Sequence, residues 1–95
     1  MGMKEAYEKK LEAQLDEWKI QIDKLKAKAD KAEADAQIQY YEQIESLQEK
    51  QETAREKLAE LKEAGEDAWQ DLKSGVKSAW DSMEEAMKSA GAKFK

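Results

Sequence analysis

Apolar residues recur every three or four positions along almost the whole of this chain, and no proline interrupts them. That spacing puts them on one face of an α-helix, whereas a strand would need strict alternation. The composition agrees: of 95 residues, 41% are charged and 40% apolar, and Pro, Cys, His and Asn are all missing. The expected fold class is all-α: a long amphipathic helix plus a shorter C-terminal helix, forming a coiled coil or helical bundle and oligomeric.

Residues 3–63 contain no Gly and no Pro and are dominated by straight-chain helix formers. The pattern predicts one heptad-patterned coiled-coil helix over 3–63, about 90 Å long at 1.5 Å per residue. A rod of that length needs a lateral partner. Its seam reads Leu11, Leu15, Trp18, Ile22, Leu25, Ala29, Ala32 and Ala36, alternating in steps of four and three. Tyr40 and Ile44 follow after two steps of four, a stutter that locally unwinds a left-handed supercoil. Heptads then resume through Leu47, Gln51, Ala54, Leu58 and Leu61, with Gln51 as either a register-fixing or a tolerated polar residue. The Ala-rich stretch 27–36 buries the least area and is the weakest part of the rod. A turn there is the alternative, disfavoured because no Gly, Pro, Asn or Ser pair marks a break.

Gly65 is the first punctuation, in Glu63-Ala64-Gly65-Glu66-Asp67. It reads as a C′ glycine closing one helix, with a break or kink over 64–67 before acidic residues that open the next. The segment 68–94 then forms an amphipathic helix with an eleven-residue repeat: Ala68-Trp69, Leu72, Val76 and Lys77-Ser78 recur as Ala79-Trp80, Met83, Met87 and Lys88-Ser89, and Phe94 continues the series. Eleven residues make nearly three turns, so the stripe stays parallel to the axis. Whether this helix folds back as a hairpin or continues as a kinked rod is open, with a break preferred.

The same inventory removes most chemistry. Without His or Cys there is no imidazole base, no thiol nucleophile and no Cys-ligated zinc. The glycines lie too far apart for a phosphate loop, and carboxylates fall at positions suited to intrahelical pairs such as Lys4/Glu8, Lys19/Asp23 and Lys31/Asp35. No catalytic, cofactor-binding or metal residue is expected, nor any cofactor, and the protein is not expected to be an enzyme. The net charge of −5 and a pI near 4.9 argue against nucleic acid as a partner. No apolar run reaches the roughly 18 residues a membrane span requires, and the N-terminus lacks a signal-peptide core, so a cytoplasmic location is the expectation.

Two readings of the aromatic residues follow. Trp18, Trp69 and Trp80 anchor a core, since each lies on the stripe. Alternatively Trp69, Leu72, Val76, Trp80, Met83, Met87 and Phe94 form the inserting face of a helix lying on a membrane surface. Five Lys against six Asp and Glu over 66–95 count against the second reading, because helices that bind anionic lipid are usually basic.

Several segments resemble small bacterial coiled-coil proteins of the stress-response type. The carrying residues are Leu15-Asp16-Glu17-Trp18, Leu25-Lys26-Ala27-Lys28-Ala29-Asp30, Lys57-Leu58-Ala59-Glu60-Leu61-Lys62-Glu63-Ala64-Gly65 and Ala68-Trp69-Gln70-Asp71-Leu72-Lys73-Ser74-Gly75-Val76 with Ala79-Trp80-Asp81. The resemblance implies a bacterial, soluble, helical protein without catalytic residues. The functional expectation is a non-enzymatic structural or interaction protein that self-associates through helical packing, a stress-protective scaffold. The alternative is a peripheral membrane-surface binder through the C-terminal helix.

Overall fold

The computed structural model describes residues 2–94, and all the regular structure among them is helical. Helix α1 spans Met3–Lys31, α2 Ala34–Glu63 and α3 Trp69–Lys93. The single helix expected over 3–63 is therefore two. The chain leaves the helical path at Ala32 (φ −81°, ψ 158°) and Glu33 (φ −66°, ψ 157°) and reverses. The physical reason is burial: a rod exposes its seam, whereas a reversal at the alanine-rich point lets the two halves cover each other. The molecule measures 51 × 20 × 19 Å, about half the length of the expected rod. Its nearly equal short dimensions describe three helices around a common axis, not a flat layer.

The helices run up, down and up. Polar contacts fix the α1–α2 hairpin at both ends. Near the turn, the Gln37 side-chain amide donates to the Ala29 carbonyl at 3.0 Å and the Tyr41 hydroxyl donates to Asp30 at 3.0 Å. At the far end, Lys4 Nζ donates to the Lys62 carbonyl at 3.1 Å, in the last turn of α2 where carbonyls lack helical partners. Lys62 itself is ion-paired with Glu12. Between α2 and α3, Lys50 Nζ donates to Ser82 Oγ at 3.1 Å, and Tyr40 stacks on Phe94 with ring centres 4.0 Å apart.

Gly65 directly follows the C-cap residue Ala64, the C′ place expected for it, but no described glycine has a positive φ, so it does not act as a left-handed cap. Instead Ala64 takes an extended conformation (φ −72°, ψ 144°), and the Gly65 carbonyl accepts the N–H groups of Ala68 and Trp69, both at 3.1 Å. An extended residue reverses the chain here, and no left-handed one is needed.

The core is one apolar cluster. Leu47, Leu61, Met83 and Val76 are its most enclosed large side chains, and no polar or charged side chain among the described residues is buried. Ala29, Ala54 and Ala90 are fully buried as well, marking where helix backbones approach closely. Helix α2 packs closely on both neighbours, while α1 and α3 stay further apart and meet through large rings.

Candidate functional site

The residues singled out from the stripe converge on this core. Leu11, Leu15, Trp18, Ile22, Leu25, Ala29, Ile44, Leu47, Ala54, Leu58 and Leu61 are buried, and Tyr40 packs against them half-buried. From the C-terminal face, Trp69, Val76, Trp80, Met83 and Met87 are buried and Leu72 and Phe94 half-buried in the same cluster. Two sets read as separate surfaces thus cover one another within a single chain. Two seam residues depart from the expectation: Ala32 lies half-buried in the turn and Ala36 is exposed, because the reversal rotates the start of α2 out of the α1 stripe. Of the expected carboxylate pairs, Lys4–Glu8 forms at 3.1 Å, whereas Lys31 and Asp35 fall in different helices.

The α1–α3 contact has its own periodicity. Tyr7 meets Trp69 with ring centres 6.0 Å apart, and Trp18 meets Trp80 at 5.9 Å, both pairs tilted by more than 40°. These are ordinary separations for favourable aromatic pairs. Each Trp of α3 lies 62 positions after its α1 partner, so the eleven-residue step of α3 is matched by the step from Tyr7 to Trp18. The Lys73 ammonium lies 5.3 Å from the Tyr7 ring centre and 5.6 Å from that of Trp69, within reach of both π-faces. The Trp80 indole N–H is buried without an acceptor, a polar cost inside an otherwise apolar seam.

Electrostatic shifts are few. Burial, then the charge of Asp81, pushes the Tyr7 hydroxyl above its ordinary value. The Tyr41 hydroxyl is raised by its bond to Asp30, and the Lys62 ammonium by its bond to Glu12. Glu8 Oε1 is shielded from water and lies 3.1 Å from Lys4 Nζ, so it has a charge partner although no aligned hydrogen bond reaches it.

The surface offers open grooves. One, of about 550 Å³, follows the α1–α3 boundary between Tyr7, Lys10, Lys73, Lys77 and Trp80. A smaller one, of about 190 Å³, lies between Leu25, Lys28 and Met87 at the other end. No group of three or more potential metal ligands occurs among the described residues, and no described helix is long and apolar enough to cross a membrane.

Periodicity alone did not identify Gln37, Ala90 or the pairing role of Tyr7. A signal for Tyr7 was available, since it stands four residues before Leu11 and eleven before Trp18. Gln37 carried no signal, because its role exists only once the chain turns at Ala32. Comparison with known protein families, curated proteins and solved structures finds no match to this chain.

Proposed function

We propose that this chain is a non-enzymatic interaction protein: a three-helix bundle that works by helix packing and self-associates, with protective scaffolding under stress as its setting. One observation carries the reading. The chain commits most of its apolar side chains to one continuous core, and among the described residues no charged side chain is buried, so packing is the property most strongly built into it. Ile20, Ile38 and Tyr41 are exposed apolar side chains outside that core, where a further helix gains buried area. Absolute mass in solution by light scattering, from micromolar to millimolar concentration, tests the proposal. A mass above 10.9 kDa that grows with concentration supports it. A mass fixed at 10.9 kDa throughout contradicts self-association.

The membrane-surface reading now carries a defined cost. Trp69, Val76, Trp80, Met83 and Met87 must leave the core before they meet lipid. Exposing five such side chains costs on the order of 10 kcal/mol, comparable to the whole stability of a small domain. Trp fluorescence unchanged on adding neutral or anionic vesicles agrees with the packing reading, and a blue shift favours the membrane.

A further inference from the structure

The α1–α2 junction is made of residues that are equally at home in a helix. Ala32 and Glu33 are both helix formers, and no Gly or Pro lies anywhere between residues 3 and 63. Their φ angles, −81° and −66°, are already close to helical values; only the two ψ angles, 158° and 157°, hold the reversal. Glu33 makes no side-chain cap to α2. The Ala29 carbonyl accepts the Ala32 N–H at 3.1 Å and the Gln37 side-chain amide at 3.0 Å. In a straight helix the Glu33 N–H takes that acceptor, and the helix ends facing the turn regain the backbone bonds that a break forfeits. Local chemistry thus favours straightening, and what opposes it is the core contact of α1 with α2 and α3.

A second copy of the chain can supply that contact. We propose that the groove between α2 and α3 accepts α1 from another molecule of the same protein, with residues 32 and 33 straightening so that 3–63 becomes one continuous helix in each partner. The exchange is reciprocal and keeps every core contact, each core now holding α1 of one chain and α2–α3 of the other. Short hinge loops are the places where such exchange is favoured. The contact tied to the turn itself is Gln37 to Ala29, whose carbonyl the Glu33 N–H takes over once residues 32 and 33 are helical. The proposal rests on the self-association reading and gives it a mechanism.

Glu33→Pro is the discriminating substitution. Proline fits the closed turn: φ at this position is −66°, the preceding Ala32 is extended, and no backbone bond from the Glu33 N–H holds the turn. In a continuous helix the same proline is penalised roughly a hundredfold per hinge. Wild type, Glu33→Pro and Gln37→Ala are each refolded at millimolar concentration and weighed by size-exclusion chromatography with light scattering, with circular dichroism to verify helicity. The expected result is a wild-type monomer–dimer mixture whose dimer weighs twice 10.9 kDa, a Glu33→Pro chain that stays monomeric, and a dimer-to-monomer ratio several times higher in Gln37→Ala. A four-residue Gly-Ser insertion between Ala32 and Glu33 gives a second hinge variant, expected to be monomeric. If wild type, Glu33→Pro and the insertion all dimerise equally, exchange is overturned while self-association stands. If wild type remains monomeric throughout, both fail.

Discussion

Trp18 and Trp80 face each other across α1 and α3 and are almost equally enclosed, at 8% and 6% exposure. Their polar atoms are not equivalent, because only the Trp80 N–H is buried without an acceptor. Trp18→Phe removes buried ring area and costs on the order of 1–2 kcal/mol. Trp80→Phe removes similar area but also an unpaired donor, whose burial costs about 1–3 kcal/mol. We expect Trp80→Phe to be the milder change by about 1 kcal/mol in urea denaturation; equal losses show that the N–H finds a partner in solution. Tyr7, in the adjacent pair, sets an alkaline limit. Burial and then Asp81 raise its hydroxyl above 10.0, so the folded chain holds that proton more tightly than the unfolded chain. The contribution is complete below the unfolded value and is lost as pH rises through the folded one. Stability measured upward from pH 9 should therefore fall beyond about pH 10, and Tyr7→Phe should shallow the fall. Some slope remains in that variant, since Tyr41 and Lys62 are raised too.

Helix α3 contains a stabilising change that its neighbours do not oppose. Gly75 lies inside the helix, is exposed, and has nothing within 4 Å of the position a Cβ would occupy. Gly75→Ala is expected to raise stability by about 1 kcal/mol, mainly by restricting the unfolded chain. For a domain of this size that is a melting-temperature increase of about 4–8 °C by circular dichroism. The existence of α3 was legible because Trp69, Val76, Trp80, Met83 and Met87 repeat with a helical step. The division between α1 and α2 was not. Local propensity at Ala32 and Glu33 votes for helix, and the structure breaks there because tertiary burial outweighs the backbone bonds lost in one turn. Only the low bulk of residues 27–36 pointed to the place, and without a Gly, Pro, Asn or Ser pair it read more readily as a weak stretch of rod than as a turn.

Each helix presents the same apolar stripe whether its neighbour belongs to the same chain or to another, so the pattern of Leu11 to Leu61 specified a partner helix without specifying its origin. Two reversals supply that partner from within, and the stripe of α3 completes the enclosure. Closure leaves a different problem on the outside of α2. Glu42, Glu45, Glu49, Glu52, Glu56 and Glu63 are all exposed and follow one another in steps of three, four or seven, in a chain whose net charge is already −5. Arg55 lies 3.4 Å from Glu52, but like-charged neighbours three or four apart repel along the rest of the stripe. Their spacing is well inside the screening length of about 10 Å at 0.1 M salt. Glu49→Lys places a cation four residues after Glu45, the more favourable order for such a pair, and three before Glu52. It converts two repulsions into two attractions of about 0.2–0.5 kcal/mol each, so the expected gain is roughly 1 kcal/mol. The gain should shrink as sodium chloride rises toward molar concentration, while the wild-type chain itself becomes more stable over the same range. Urea melts at low and high salt measure both trends, since urea adds no ions of its own. A wild-type stability indifferent to salt, together with no gain from Glu49→Lys, means that solvent and counterions already neutralise this face, and the charge of α2 then plays no part in how tightly the three helices close.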